Sequence, residues 1–479
     1  MNGIHLLSLL PLLLVAGTSV LVLLAIAVRR NHAVAFALTL SGLAAGFCST
    51  FIVPTNQVTP LLLMDHYALF FMGLLMAASF FIAFLSYSYL AAREGNKEEF
   101  YVLLLVATLG AMVLAASIHF ASLFLGIEIL SVALYGLIAY LRDRPLPLEA
   151  GIKYLILAGS SSAFLAFGIA LVYADVGALD FVAVAQRIAA DQSGVSLELL
   201  LPGTVLILTG IGFKLALAPF HMWTPDVYEG APAPVTAFVA TVSKGGMYAL
   251  LLRFFSLSGA DRFPRLLLVL SIIAIASMLA GNLLALFSTN VKRILAYSSI
   301  AHMGYLLVAV EVSSRLGITA AAFYLVAYFI MILGAFGVVT VLSSGERDAD
   351  RLEDYRGLYW RHSGLALVFT AMLLSLAGIP LTAGFLAKFY IVAAGADSQA
   401  WLLILVLVVS STIGLFYYLR VVAKLFQQPV SEGQTPEPLP RRSPAVSVIL
   451  ALLTVFLIWF GVFPSPLLHL IQSTIGNIF

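Results

Sequence analysis

The chain is a succession of apolar runs, each about twenty residues long, separated by short polar loops. A helix needs roughly 20 apolar residues to cross about 30 Å of hydrocarbon. Fourteen runs meet that length: 5–28, 33–53, 68–91, 100–118, 120–141, 150–174, 199–221, 232–254, 266–288, 292–312, 316–343, 363–392, 400–424 and 444–462. At membrane depth no water satisfies backbone groups, so such runs fold as helices. Charged residues make up only 10% of the chain, against about 25% in soluble domains, too few to cover a water-facing surface. The fold class read from this is an all-α polytopic membrane protein of about 14 transmembrane helices. A net charge of +2 excludes nucleic acid as a partner. The single cysteine, Cys48, excludes an internal disulfide, a Cys-ligated cluster and a CxxC redox pair. There is no dinucleotide fingerprint, no P-loop lysine motif and no HExxH-like ligand spacing, so any redox or nucleotide cofactor belongs to another chain and no metal site is expected.

Orientation follows from the basic residues. Of 25 Lys and Arg, sixteen fall on loops after odd-numbered runs and five on the opposite side (Arg187, Arg253, Arg262, Arg265 and Arg315). Positive loops stay inside, so both termini are expected outside. The first run has no Lys or Arg before it and is too long for a signal peptide's apolar region, which makes it a retained span. Residues 179–192 have helical spacing suited to the membrane interface. The loop at 344–362, charged with both signs, is expected to be solvated, and the Pro-rich 426–443 to be a loose loop.

With Lys292 and Lys424, at the ends of their runs, counted among the sixteen loop charges, four lysines lie inside the runs. A charge at membrane depth costs about 2.5–3.5 kcal/mol or more and usually marks an ion path. Lys214 stands in GIGFKLALAPFH, Lys244 in FVATVSKGGMYAL and Lys388 in AGIPLTAGFLAKFY, while Glu128 stands in FLGIEILSVALYG. Lys153, near the start of its run, reads as peripheral. His221 and His302 lie near or within two further runs. These side-chain types suit proton transfer. Desolvation favours the neutral form of an amine and a nearby carboxylate favours the charged form. Two unit charges 6 Å apart couple by roughly 3 kcal/mol at an effective dielectric of 20, enough to switch a protonation state, and histidine can bridge such groups. The plainer readings are a structural ion pair for Glu128 and Lys214, a helix-end lysine for Lys244, a snorkelling Lys388, and core or membrane-edge histidines. The tyrosines and phenylalanines are read as packing or lipid-facing residues without chemistry.

Two of the lysines stand close to a helix break. Pro219 follows Lys214 by five residues and Pro380 precedes Lys388 by eight. Proline interrupts the helical ladder, here freeing the carbonyls of Leu215 and Leu376, and broken helices at membrane depth line cavities or packed protein. Glu128 to Lys214 and His302 to Lys388 are both separated by 86 residues. The pattern is that of repeated transporter halves, with runs four to eight mapped onto nine to thirteen. An odd number of runs per repeat makes the halves inverted. The expected divisions are 1–99, 100–254, 266–424 and 425–479.

The run GIGFKLALAPFHMWTPDVYEGAPAPVTAFVATVSKGGMYALLLRF at 211–254 resembles the antiporter-like membrane subunits of respiratory complex I. So do FLGIEILSVALYGL at 124–137, NVKRILAYSSIAHMGYLLVA at 290–309 and LSLAGIPLTAGFLAKFYI at 374–391. The TPDVYEGAP wording is similar to the subunit N branch of that family. The resemblance implies two inverted five-helix repeats with helices seven and twelve broken, and a chain that helps to translocate protons. It implies that Glu128 pairs with Lys214, that Lys244 is the central connecting lysine and that Lys388 exchanges protons with the outside. His221 and His302 would fall on the same polar axis. It also implies that FMN, iron–sulfur clusters and quinone are held by partner subunits and that none is held here. The implied neighbours are the sister subunit M and the small subunits K and J, in a bacterial inner membrane with both termini periplasmic. Two rival readings are a subunit of a secondary Na⁺/H⁺ antiporter and a purely structural helix scaffold.

Overall fold

The computed structural model describes residues 3–190, 197–258, 264–312, 314–428 and 444–475. It opens with α1 (Gly3–Ser8), α2 (Leu10–Val28) and α3 (His32–Ser49). A small antiparallel hairpin follows, β1 (Asn56–Thr59) with β2 (Leu62–Met64). Next come α4 (His66–Ala91), α5 (Glu99–Ala116), α6 (Phe120–Ile138), α7 (Pro145–Val176) and α8 (Phe181–Ala190). After α9 (Leu197–Leu215) and α10 (Trp223–Gly230), α11 (Ala233–Phe238) runs through a single π-helical turn, Val239–Ser243, into α12 (Lys244–Ser258). The second half holds α13 (Pro264–Phe287), α14 (Val291–Val312), α15 (Arg315–Leu342), α16 (Leu358–Arg361), α17 (Ser363–Ala377), α18 (Ala383–Asp397), α19 (Trp401–Phe426), α20 (Pro444–Val462) and α21 (Ser465–Ile475).

Helix starts follow local chemistry. Asn31, Asp65, His119 and Ser314 cap α3, α4, α6 and α15 by accepting from backbone N–H groups of the first turn, as short polar side chains do. Pro145 opens α7, where its missing N–H costs nothing, so this helix begins five residues before the expected 150.

Thirteen helices among the described residues are long and apolar enough to cross a membrane, with α11, the π turn and α12 counted as one. The remaining expected run, the twelfth at 363–392, is present in two pieces. Its halves, α17 and α18, are 15 residues each, about 22 Å at 1.5 Å per residue, and neither crosses alone. Gly378, with φ +89°, turns the chain between them. The run expected at 199–221 also stops early. α9 ends at Leu215, and Ala216 takes φ +60° before Pro219, whose ring admits no helical hydrogen bond.

The helices sort by burial. Ala233–Ser258 is enclosed along its length, and α14, α15 and α4 nearly so, whereas α2 and α20 are mostly open. Because lipid is as apolar as leucine, close packing decides which helices adjoin. A Cβ on Gly281 would lie 2.6 Å from the backbone N of Ala301, so this glycine lets α13 and α14 meet backbone to backbone.

Two expectations about charged residues are corrected. Residues 344–362 are not a free solvated loop. They fold back on the helix ends through a 3₁₀ turn, Leu352–Tyr355, and α16, and Asp348 is taken into the protein. Lys292 and Arg253, counted above as loop charges, lie within α14 and α12 and are buried, because each has a carboxylate partner: Asp348 for Lys292 and Asp65 for Arg253. The helix expected near 179–192 is α8, whose Phe181 and Val184 are buried. Most of the 426–443 segment lies outside the described residues.

Candidate functional site

The charged side chains form two groups. In the first, Lys214 stands one residue before the end of α9 and is buried. Its ammonium donates to Ser131 Oγ at 2.6 Å and to the Tyr154 hydroxyl at 3.3 Å. Ser131 in turn donates to the carbonyl of Ile127, so α6 presents the serine oxygen to the lysine. Glu128 lies one turn before Ser131 on the same helix. It is within electrostatic reach of Lys214, and its Oε1 is buried without a hydrogen-bond partner. No lysine or arginine nitrogen lies within 4 Å of Glu128 among the described residues, and Ser131 accepts the bond from Lys214, so the plainer reading of a direct structural ion pair is not met and any coupling of Glu128 to Lys214 acts through space. The break after α9 is itself organised. Leu217 N–H donates to the carbonyl of Gly212, Trp223 Nε1 to that of Phe213, and Ala218 N–H to Ser277 Oγ. His221 lies in this break, buried, with Nδ1 unpartnered. It makes no hydrogen bond to the other five expected residues.

The second group is continuous. Lys244 follows the π turn, and its ammonium donates to Ser299 Oγ at 2.7 Å. The same oxygen meets the hydroxyls of Tyr328 at 2.6 Å and Tyr228 at 3.2 Å. The Tyr328 ring lies against His302, centroids 5.4 Å apart. His302 Nδ1 pairs with the Tyr324 hydroxyl at 2.7 Å and Nε2 with that of Tyr418 at 3.3 Å. The Tyr305 ring also lies against the imidazole, centroids 5.4 Å apart, and the Lys388 ammonium stands 5.3 Å over the Tyr305 ring. Lys388 donates to the carbonyls of Leu376 and Ala377 at 2.9 and 3.0 Å and to Ser411 Oγ at 2.7 Å. The Pro380 break thus supplies acceptors to the lysine, the Leu376 carbonyl among them. Neither Lys244 nor Lys388 has a carboxylate within 4 Å among the described residues.

Lys153, by contrast, is 43% exposed and bridges Glu149 and Asp226 at 2.7 and 2.8 Å. Among the described residues, no three His, Cys, Asp or Glu side chains converge on one point.

The hydroxyls that hold the lysines (Ser131, Tyr154, Ser299 and Ser411) and those that surround Ser299 and His302 are absent from the sequence reading. Tyr154, Tyr228, Tyr305, Tyr324, Tyr328 and Tyr418 are all fully buried, which corrects their assignment as packing residues without a polar role. One signal was available. Ser299 and His302 are three apart and Tyr324 and Tyr328 four apart, so each pair shares a helix face.

A polar line of buried cations and hydroxyls, running past two broken helices, is the geometry on which the chain can be compared with known proteins. Residues 117–414 match the NADH:quinone oxidoreductase/Mrp antiporter transmembrane family. The chain belongs to this family. Two relatives named NADH-quinone oxidoreductase subunit N match along almost their whole length. One, from Nitrosospira multiformis, is 51% identical over 99% of this chain and 97% of its own. The other, from Ectopseudomonas mendocina, is 47% identical over 98% and 96%. Among solved structures, a chain of respiratory complex I from Thermus thermophilus with bound aureothin superposes with a TM-score of 0.82 at 32% identity, covering 96% of this chain and 98% of that one. A chain of the Mrp complex from a Dietzia species has a TM-score of 0.84 at 21% identity over 100% and 98%, a likeness of fold. The family is the one that the four sequence runs resemble.

Proposed function

We propose that this chain is a proton-translocating membrane-arm subunit of an NADH:quinone oxidoreductase, and that Glu128, Lys214, Lys244, His302 and Lys388 carry the transfer. The observation that carries the reading is the second group: two buried ammonium groups without carboxylates, joined through Ser299, Tyr328, His302 and Tyr305. Nothing in helix packing requires a buried lysine on a serine, and the burial is costly. Hydroxyls both accept and donate, so protons pass by small rotations along the hydrogen-bonded stretches Lys244–Ser299–Tyr328 and Tyr324–His302–Tyr418, and the ring contacts between these stretches and Lys388 are steps that water must bridge.

In this reading electrons stay in partner chains, which hold the FMN, iron–sulfur clusters and quinone. A charge change in a neighbouring subunit acts on Glu128, whose Oε1 is unpartnered. Glu128 biases Lys214 across Ser131, and protons move by way of Lys244 and His302 to Lys388. His221 stands beside this line at the first break. Subunits M, K and J are the proposed neighbours, and the site is a bacterial inner membrane with both termini periplasmic. The two breaks, each next to a lysine, support two inverted repeats at 100–254 and 266–424. The relatives at about half identity carry the name subunit N, which favours this function over a Na⁺/H⁺ antiporter. Replacing Lys214 with Ala in the assembled complex should depress proton pumping in membrane vesicles and, through coupling, quinone reduction. Unchanged pumping would refute the role of Lys214.

A further inference from the structure

The loop between α15 and α16 carries a carboxylate that accepts from four donors on three separate parts of the chain. Asp348 Oδ1 accepts from the Tyr89 hydroxyl at 2.7 Å and from Arg93 at 3.2 Å. Its Oδ2 accepts from Lys292 Nζ at 2.9 Å and from the backbone N–H of Ala233 at 3.0 Å. Tyr89 lies in the last turn of α4 and Arg93 two residues beyond its end, Lys292 is in the first turn of α14, and Ala233 is the first residue of α11. Lys292 also donates to the carbonyls of Glu229 and Ala231 at 2.9 and 2.6 Å, which closes the end of α10 against the start of α11. Burial pushes the Asp348 carboxyl up, but Lys292, the Tyr89 hydroxyl and Arg93 outweigh it and hold it below the ordinary carboxylate range. It is therefore charged at neutral pH. A cavity of about 930 Å³ opens beside it, lined by Tyr89, Arg144, Gly230, Pro232 and Asp348 among others.

The other end of the same long helix is fixed as well. Arg253 in α12 makes two hydrogen bonds to Asp65, the cap of α4, at 2.9 and 2.6 Å. The Tyr67 hydroxyl donates to the carbonyl of Ala249 at 2.7 Å. Residues 233–258 are thus pinned to α4 at both ends, with the π turn and Lys244 between the pins. The helix opposite Lys244 is α14, which carries Ser299 and His302 and whose first turn is held by the same carboxylate.

We propose that Asp348 is a positioning residue for proton transfer at Lys244. By binding Ala233 and Lys292 together, it sets the helix that carries Lys244 against the helix that carries Ser299. This rests on the reading of Lys244 as a proton carrier. The 2.7 Å contact between Lys244 and Ser299 is the quantity at stake, since a misplacement of about 1 Å costs roughly a hundredfold in a transfer step. Of the four donors on Asp348, Ala233 and Lys292 come from the helices that lead to Lys244 and Ser299, Tyr89 comes from the last turn of α4 and Arg93 from just after it, and none comes from the charged loop itself.

The test uses the assembled complex reconstituted in proteoliposomes, with two readouts: protons translocated per NADH oxidised, and amide exchange of the segment 231–243. Asp348→Ala and Asp348→Asn should assemble in normal amounts and translocate at least threefold fewer protons per NADH. Exchange near Ala233 should rise about tenfold on loss of a charge-assisted bond, and Asp348→Glu should recover part of the pumping. Lys244→Ala is run beside them. If Lys244→Ala pumps normally, the reading of Lys244 fails, and the exchange result still reports whether Asp348 fixes the helix. If Lys244→Ala is defective while Asp348→Ala keeps normal pumping or normal exchange, the proposal for Asp348 is overturned. Should the single variants fail to assemble because Lys292 is left unpaired, the double variant Asp348→Asn with Lys292→Gln removes that charge. Reduced pumping in its assembled form supports the proposal. Normal pumping, or a second failure to assemble, makes Asp348 a folding residue and overturns it.

Discussion

Lys244 and Lys388 are both buried cations, yet they are held differently. Lys244 donates to one oxygen, Ser299 Oγ, whereas Lys388 has two backbone carbonyls and Ser411. A hydrogen bond to a charged group contributes about 1.5–3 kcal/mol, so removing it matters most where nothing replaces it. Ser299→Ala should lower pumping by roughly tenfold, while Ser411→Ala should stay within about twofold, both read as proton translocation at equal amounts of assembled complex. Equal effects would show that the single contact at Lys244 is not limiting. Asp348 gives a pH-dependent expectation. Its folded value lies below the unfolded one, so its contribution to stability is full above about pH 4 and is lost as pH falls through the lower, folded value. Wild-type and Asp348→Asn complexes should therefore differ in thermal stability at pH 6 and converge under strong acid. A difference that persists unchanged in acid would show that the charge of Asp348 is not what stabilises the fold.

At the scale of the element, the two interruptions are where the chain spends regular structure. Gly378 takes φ +89° at the second, and a Cβ there would approach Lys388 Cδ to 3.1 Å. Gly378→Ala should destabilise the α17–α18 crossing by about 1–2 kcal/mol, the cost of left-handed backbone for an L-residue, and disturb Lys388. A thermal midpoint and pumping rate equal to wild type would contradict this. Pro219 and Pro380 marked both breaks in the sequence, because proline has one physical effect wherever it stands in a helix. The early stop of α9 at Leu215 was not legible: it depends on Ala216 turning left-handed, for which a non-glycine residue gives no signal. Nor was the π turn before Lys244, since VATVS carries no mark of an extra residue per turn. The serine and tyrosine partners were hidden for another reason. Helical spacing shows which residues share a face of one helix, but not which face a second helix presents to it.

For the whole molecule, composition alone determined the class. A chain with 10% charged residues cannot be soluble, and the fourteen runs correspond to thirteen long helices and one broken crossing. Helix neighbours were beyond the sequence, because apolar contact with lipid and with protein have nearly the same free energy. The 344–362 loop was misread because mixed charges look alike whether they face water or, like Asp348, meet buried partners. The account as a whole requires that charge at Glu128 be felt at Lys214 across Ser131. Glu128→Gln should lower both pumping and quinone reduction severalfold, and normal rates of both would remove Glu128 from the line. The central claim is that buried cations joined by hydroxyls pass protons. Its most direct test is the number of protons translocated per NADH by reconstituted complexes bearing Lys244→Ala or Lys388→Ala. Each is expected to fall well below wild type while the complex remains assembled, and wild-type stoichiometry in both would contradict the claim.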